Sequence, residues 1–190
     1  MKIHEQLKND YMAILGVNYM YTIILESDRL KLRSLSYAEL VNITSGDMER
    51  APVIIDEEAI TETVKAAMLK KLVKMHEIPE RIHPWYTYWI IMDKEKESGI
   101  GFIGFKGRPN EEGNSEVGYS ISSKFRNAGL MTEALQLLIK WGKEDEECKA
   151  ITAMRVLRTN IASNRVLQKC GFRMFFEWEE EINYILVLRN

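Results

Sequence analysis

Alternation of apolar and charged residues first becomes regular at residues 28–35, in the stretch DRLKLRSL. A period of two predicts a half-buried strand. Ser36 follows directly and is a good N-cap for a helix beginning at SYAEL. Between residues 60 and 75 apolar residues recur at helical spacing, which predicts an amphipathic helix opening at the acidic run 56–58.

The second half of the chain alternates strand and helix signals. WYTYWIIMD (85–93), SGIGFIGFKG (98–107) and EVGYSIS (116–122) predict three consecutive strands. A helical stripe in TEALQLLIKWGKEDEE, a strand in KAITAMRVL, a short helix in NIASNRVLQKCGF and two closing strands follow. This order predicts an α/β (α+β) protein with a mixed, mostly antiparallel sheet of six to seven strands flanked by helices.

Residues 1–27 carry a weaker pattern. EQLKNDYMAIL is compatible with a short helix, but it has no strong cap and no long periodic face. We therefore treat residues 1–27 as an N-terminal accessory segment and residues 28–190 as a single domain, since 190 residues suit one domain.

Composition narrows the class of partner. A net charge of −2 argues against nucleic-acid binding driven by bulk electrostatics. The polar N-terminus is no secretory signal, and no apolar run approaches the ~18 residues of a membrane span. The two cysteines have no short spacing, and no metal-ligand cluster occurs. We expect a cytoplasmic protein, monomeric or homodimeric, with no metal, nucleic-acid or membrane partner.

Two stretches compete as phosphate sites. GIGFIG (99–104) has the glycine spacing of a dinucleotide-binding fingerprint, but strands flank it and no helix follows, so we predict a packed strand. KFRNAGLMTEAL (124–135) instead joins a strand to a helix through Arg126 and Gly129. Amides of such a turn and the helix dipole favour an anion, and Arg126 supplies a phosphate partner.

Three motifs in order then point to one family. RNAGLMTEA resembles the R/Q-x-x-G-x-G/A motif of the GCN5-related N-acetyltransferase (GNAT) superfamily, although Met131 stands where Gly or Ala is usual. EVGYSIS resembles its central strand, and NIASNRVLQKCGF resembles its N-x-x-S-x-R-V-L-x-K-x-G-F helix. The combination is typical of the RimJ/RimL-like ribosomal-protein alanine acetyltransferase branch. The resemblance implies a three-layer GNAT fold, acetyl-CoA as co-substrate and an amine as acceptor.

The resemblance also implies roles for individual residues. Main-chain amides would hold the pyrophosphate at Arg126, Asn127, Ala128, Gly129, Leu130, Met131 and Thr132. The backbone of Tyr119, Ser120 and Ile121 would pair with the pantetheine arm. Asn160 would contact the cofactor near its reactive end, and Arg165 would assist phosphate binding.

Acetyl transfer to an amine requires a base for the acceptor and a proton for the leaving thiolate. Glu116, at the start of the central strand, is our candidate base; an ordinary strand-end carboxylate is the alternative. Many members place a tyrosine on the last helix as the acid, but Leu167 occupies that position. The resembled branch carries a serine earlier, here Ser163, which would protonate the thiolate or merely satisfy backbone donors of the helix.

From the resemblance we expect the acceptor to be a protein or peptide N-terminus, or a small primary amine. Trp85 and Tyr88 are candidate walls of its site, although aromatic residues in strands more often belong to the core. A non-catalytic module that binds or senses acyl-CoA on the same fold remains the alternative to an enzyme.

Overall fold

The computed structural model of the protein describes residues 22–189, so the predicted helix in EQLKNDYMAIL lies outside the described residues. Within that range an eight-stranded sheet has the order β1-β2-β3-β4-β5-β6-β8-β7. Its strands are β1 (Ile24–Glu26), β2 (Leu30–Ser34), β3 (Trp89–Asp93), β4 (Ser98–Phe105), β5 (Asn114–Ile121), β6 (Ala150–Leu157), β7 (Arg173–Trp178) and β8 (Glu181–Val187). The helices are α1 (Tyr37–Ser45), α2 (Glu62–His76), α3 (His83–Tyr86), α4 (Leu130–Gly142) and α5 (Ile161–Lys169).

The predicted mixed, mostly antiparallel architecture is confirmed, with one more strand than the six to seven expected. The additional strand is β1, which pairs antiparallel with β2 from Ile24 opposite Arg33 to Glu26 opposite Lys31. Three residues carry no readable alternation, which is why the pattern did not reveal it. The boundary proposed between residues 27 and 28 falls inside this hairpin, and the division into two segments stays a prediction.

Local capping chemistry accounts for the helix starts. Ser36 accepts from the amide of Glu39 while the Glu39 side chain accepts from the amide of Ser36, so the predicted cap of α1 is a full capping box. Asp56 instead caps a single 3₁₀ turn, Glu57–Ala59, and the long helix begins later, after Thr61. The expected helix start at residues 56–58 is therefore wrong, because the backbone at Ile60 leaves the helical region.

Both faces of the sheet are packed over β2 to β4. On one face α4 contributes Leu135 and Leu138 to a cluster with Ile103 and Phe105. On the other face α1 and α2 pack against Phe102. The strand that contains GIGFIG is therefore central, and its glycines allow close approach of neighbouring backbone: a Cβ at Gly101 would lie 2.5 Å from a carbonyl oxygen of β5. The strand prediction for this stretch is confirmed.

Candidate active site

The sheet opens where its two parallel strands separate. β5 and β6 pair only over residues 114–116 and 150–152, ending with Glu116 opposite Thr152. Beyond that point β5 continues along β4, whereas β6 continues along β8. The bonds from Lys106 N to Glu116 O and from Ser122 N to Ile100 O turn the even-numbered main-chain groups of β5 toward β4. The groups of Val117, Tyr119 and Ile121 consequently face the cleft between β5 and β6.

A turn with two left-handed residues connects β5 to α4. Asn127 has φ 62° and Gly129 has φ 77°. Among the described residues, the amides of residues 127 to 132 donate to no protein acceptor. Free amides in such a turn, together with the positive end of the α4 dipole, fit a phosphate group. The predicted loop thus presents free main-chain donors that an anion could accept from.

Met131 does not obstruct this loop. Its side chain is 7% exposed and belongs to the core cluster under α4, so only its main chain borders the turn. The departure from Gly or Ala at this motif position therefore leaves the anion-facing side of the loop open.

Side chains far away in sequence fasten both ends of the turn. The Arg29 guanidinium donates to Glu133 Oε2 from Nε (2.8 Å) and Nη2 (2.5 Å), and to the carbonyl of Ala128 from Nη1 (3.0 Å). Ser27 Oγ donates to Glu133 Oε1 at 2.6 Å. Burial alone would raise the pKa of Glu133, but the Ser27 and Arg29 hydrogen bonds outweigh it and lower the value. At the other end, Lys124 Nζ lies 3.0 Å from Asp56 Oδ2.

This group of Ser27, Arg29, Glu133 and the Ala128 carbonyl, here called the loop clamp, was missed by sequence reasoning. Arg29 and Glu133 stand 104 positions apart, and no role was predicted for either, although Glu133 lies in the stretch RNAGLMTEA. The clamp borders an open cavity of about 560 Å³, which Lys169 of α5 also lines.

The α5 helix begins at the cleft. Asn160 caps it by accepting from the amide of Ser163 at 3.2 Å. Asn160 and Arg165 are both exposed, so their side chains are accessible to a ligand. Leu167, at the position of the tyrosine found in many members, is fully buried.

Ser163 has a phenol partner that comes from the sheet. The hydroxyl oxygens of Tyr119 and Ser163 lie 2.8 Å apart. Burial raises the pKa of Tyr119 to about 12, which keeps its hydroxyl protonated. Tyr119 was assigned a main-chain role from the sequence; the alternation of Val117, Tyr119 and Ile121 on one face was the available signal for a side-chain role.

Glu116 lies on the opposite side of the sheet from Ser163. Successive strand residues point to opposite faces, and Val117 packs into the cluster under α4. Glu116 therefore projects toward the face that carries α2. Its Oε1 pairs with Lys106 Nζ at 2.5 Å, and both side chains are partly exposed. The two candidate catalytic residues thus flank the cleft from either side.

The candidate acceptor walls are core residues in this structure. Trp85 is 6% exposed and its ring lies 4.6 Å from that of Trp141. Tyr88 is 9% exposed and lies edge-on to Phe102. Their burial favours the core interpretation, and their assignment to the acceptor site stays a prediction.

Three other features were sought among the described residues: a metal-binding cluster, a membrane-spanning helix and a reactive cysteine. Within 22–189 no group of three or more His, Cys, Asp or Glu side chains is arranged to hold a metal ion. Over the same range no helix combines the length and apolar character that crossing a membrane requires. Burial raises the pKa of both Cys148 and Cys170 to about 11, so neither thiol is an activated nucleophile.

Splayed parallel strands, a turn with free amides at their end and a helix starting beside the cleft agree with the arrangement that the sequence resemblance predicted. Residues 29–173 match the acetyltransferase (GNAT) domain family, and the chain belongs to that family. The resemblance seen in the sequence is thereby confirmed, and the protein is an acetyltransferase.

Individual proteins are similar to this chain in sequence or in fold. The chain is 28% identical over 169 residues to the uncharacterized N-acetyltransferase YjdG of Bacillus subtilis, covering 88% of this chain and 99% of the relative. The ribosomal-protein-S5-alanine acetyltransferase of Vibrio fischeri has the same fold, with a TM-score of 0.60, 20% identity, and coverage of 87% and 96% of the two chains. RimL, a ribosomal α-N-protein acetyltransferase solved with coenzyme A, has a TM-score of 0.60 at 16% identity, covering 87% of this chain and 98% of its own.

Proposed function

We propose that this protein transfers an acetyl group from acetyl-CoA directly to a primary amine within a ternary complex. One observation carries the proposal: the free amides of residues 127 to 132 lie at the end of the cleft that Glu116 and Ser163 flank. The loop would hold the pyrophosphate, assisted by Arg126. The pantetheine arm would extend along the edge of β5, pairing with Tyr119 and Ile121 like an additional strand.

The pairing of β5 with β4 decides which of Tyr119, Ser120 and Ile121 have main-chain groups free to pair with the pantetheine arm. Ser120 is paired with Phe102 of β4, so its main-chain groups are already used. The groups of Tyr119 and Ile121 point into the cleft. A main-chain N–H of β5 facing the cleft would donate to the thioester oxygen as negative charge develops there.

Glu116 would accept the proton that the acceptor ammonium must lose. Deprotonation at pH 7 costs about 1 kcal/mol for an α-amine with pKa ~7.8, against roughly 4–5 kcal/mol for a lysine near 10.4. A partly exposed carboxylate acting directly or through water suffices for the first of these. Because the Lys106–Glu116 ion pair is exposed, it is weak enough for an arriving ammonium to replace Lys106.

The leaving group would depart on the other side of the cleft. The amine nitrogen attacks the thioester carbon, the C–S bond then breaks, and its electron pair stays on sulfur. The acceptor nitrogen loses two protons on its way from ammonium to amide. Ser163 would give its own proton to the thiolate and take the second of these two protons in exchange. The first of these leaves through Glu116 to water, so the overall transfer balances.

An open sheet surface on the Glu116 side suits a protein or peptide acceptor as well as a small amine. Leu157 on β6, together with Phe176 and Trp178 on β7, is more than half exposed. Register places Leu157 and Trp178 opposite Glu181 of β8, on one face of the sheet. These side chains would contact the residues that follow a peptide's amino group.

Thiol release from acetyl-CoA tests the proposal. The panel contains peptides with varied first residues, polyamines and small primary amines, and the acetylated product is identified by mass. We expect turnover on at least one α-amine. Coenzyme A binding without turnover on any amine would instead support the non-catalytic acyl-CoA-binding module, and failure to bind coenzyme A would reject both.

Glu116→Gln tests the role of the base. We expect kcat/KM to fall by about 10²-fold near neutral pH, the usual contribution of a general base. The deficit should shrink as pH rises above the pKa of the acceptor, because the free amine no longer needs a base. Glu147→Gln is the matched control. Like Glu116, Glu147 forms an ion pair with a basic side chain, that of Arg108 at 2.8 Å, but it stands outside the cleft. A deficit that does not change with pH would contradict the assignment.

A further inference from the structure

The hydrogen bond between the Tyr119 and Ser163 hydroxyls can run in either direction, because each oxygen can donate or accept. A phenol is a stronger acid than an aliphatic alcohol and is therefore the better donor of the pair. The second acceptor within reach of the phenol, the carbonyl oxygen of Ser163, is distant at 3.4 Å, whereas Ser163 Oγ lies at 2.8 Å. On this chemical ground we assign Tyr119 as the donor to Ser163 Oγ, an assignment that leaves the hydroxyl hydrogen of Ser163 to point elsewhere.

The surroundings of the pair show where that hydrogen can point. Tyr119 reaches Ser163 from the sheet side, beneath the first turn of α5. Ser163 itself is only half-buried, and the Asn160 cap beside it is exposed. With the phenol approaching from the sheet, the half-buried Ser163 hydroxyl keeps an accessible side toward which its hydrogen can point.

We infer that Tyr119 is a positioning residue, which orients the Ser163 hydroxyl as a hydrogen-bond donor to the sulfur that leaves coenzyme A. The inference rests on the proposed function and adds to it the residue that compensates for Leu167. In place of a tyrosine on α5, this chain has a phenol on β5 that acts through Ser163. The high pKa of Tyr119, about 12, keeps the phenol a donor throughout the working range of pH.

The pKa of the thiol of bound coenzyme A reports the hydrogen bond from Ser163 to sulfur directly, and its measurement needs no acceptor amine. Thiolate absorbance of the protein–coenzyme A complex is followed as pH is raised. A hydrogen bond to the thiolate lowers the thiol pKa, so losing it raises the value. We expect Ser163→Ala to raise it by about one unit, equivalent to a tenfold change in the thiolate equilibrium. Tyr119→Phe should raise it by a smaller amount, and the double variant should not exceed Ser163→Ala.

Tyr184→Phe is the matched control. Tyr184 is also a buried tyrosine whose hydroxyl binds α5, but it donates to Asn164 Oδ1 at 3.0 Å and not to Ser163. Loss of this hydroxyl disturbs the packing of the same helix to a similar extent. The thiol pKa should remain that of the wild type. An equal shift in Tyr184→Phe would mean that Tyr119 has only a structural role.

Two further results would overturn the inference: an unchanged thiol pKa in Tyr119→Phe, or effects of the two single variants that add fully in the double variant. Turnover of the same variants on the best amine separates this inference from the proposed function. A wild-type protein with no turnover but with the expected thiol shifts would reject the enzyme and retain the hydrogen-bond relay. Turnover without any thiol shift would reject the relay and retain the enzyme.

Discussion

The loop clamp should set the affinity for coenzyme A. Arg29 holds the Ala128 carbonyl, which lies between the two left-handed residues of the turn, Asn127 and Gly129. Without that bond, the turn must pay the ordering entropy at the moment of binding. Arg29→Met removes the guanidinium while keeping an unbranched apolar stem.

The size of the effect follows from exposure. The Arg29 and Glu133 side chains are 52% and 19% exposed, so their ion pair contributes at most about 1 kcal/mol. The bond to Ala128 O adds a similar amount, because it is charge-assisted but solvent-accessible. The two contributions together set an upper limit of about 2 kcal/mol, and losing about 1.4 kcal/mol of it corresponds to a tenfold higher Kd for coenzyme A.

Isothermal titration with coenzyme A measures this, and a second variant separates the clamp from direct contact. Glu133→Gln breaks the clamp but leaves the positive charge of Arg29 beside the cavity. Preorganisation of the loop predicts weaker binding in both variants. Direct contact of Arg29 with a phosphate predicts weaker binding in Arg29→Met only, with equal or tighter binding in Glu133→Gln.

Lys31→Met provides the matched control, since Lys31 lies on the same hairpin and pairs with Glu26 at 3.5 Å without touching the loop. Its Kd should equal that of the wild type. A wild-type Kd in Arg29→Met would refute the reasoning, because the turn would then be ordered without its clamp.

Two other perturbations follow from the structure. Gly129→Ala introduces a Cβ at φ +77° with no close contact, so we expect only backbone strain of about 1–2 kcal/mol and a Kd for coenzyme A raised about tenfold. Gly46→Ala, at φ +84° in the C-cap of α1, should lose similar stability in urea unfolding but bind coenzyme A normally; an equal loss of affinity would exclude a role specific to the loop. Burial lowers the pKa of Lys71 from 10.5 to about 7, so the unfolded chain holds one more proton between those values and stability rises with pH across that window. In urea unfolding, Lys71→Met should remove up to about 1.4 kcal/mol per pH unit from the rise in the free energy of unfolding. Lys70→Met, at the exposed neighbouring position, should keep that rise. If the rise survives in Lys71→Met, the amine of Lys71 stays charged in the fold.

Buried Lys71 illustrates a contact that no sequence pattern reveals. A lysine beside the apolar stripe of α2 would ordinarily be solvated, yet the Nζ of Lys71 donates to the carbonyls of Phe105 (2.5 Å) and Tyr86 (3.1 Å). Helical periodicity places Lys71 next to the apolar stripe, but only the approach of β4 and α3 supplies the two acceptors. The same reasoning applies to Arg29 and Glu133, which the fold brings together across 104 positions.

Local signals carried most of the architecture and located the loop. Alternation, helical spacing and caps are properties of neighbouring residues, so they predicted seven of the strands in order, the N-cap at Ser36 and the strand–turn–helix junction around Gly129. The three motifs that led to the family are equally local. The assignment as an acetyltransferase could therefore be made before the fold was known.

Tertiary structure supplied what depends on distance between elements. The separation of β5 from β6 after Glu116, the placement of Glu116 and Ser163 on opposite sides of the cleft, and the phenol of Tyr119 beneath Ser163 all require the sheet to be assembled. Burial, too, is a property of the assembled chain: it turned Trp85 into a core residue and sent the Met131 side chain away from the loop. A pattern can state which residues are apolar, but the direction and partners of each side chain arise only when the elements pack.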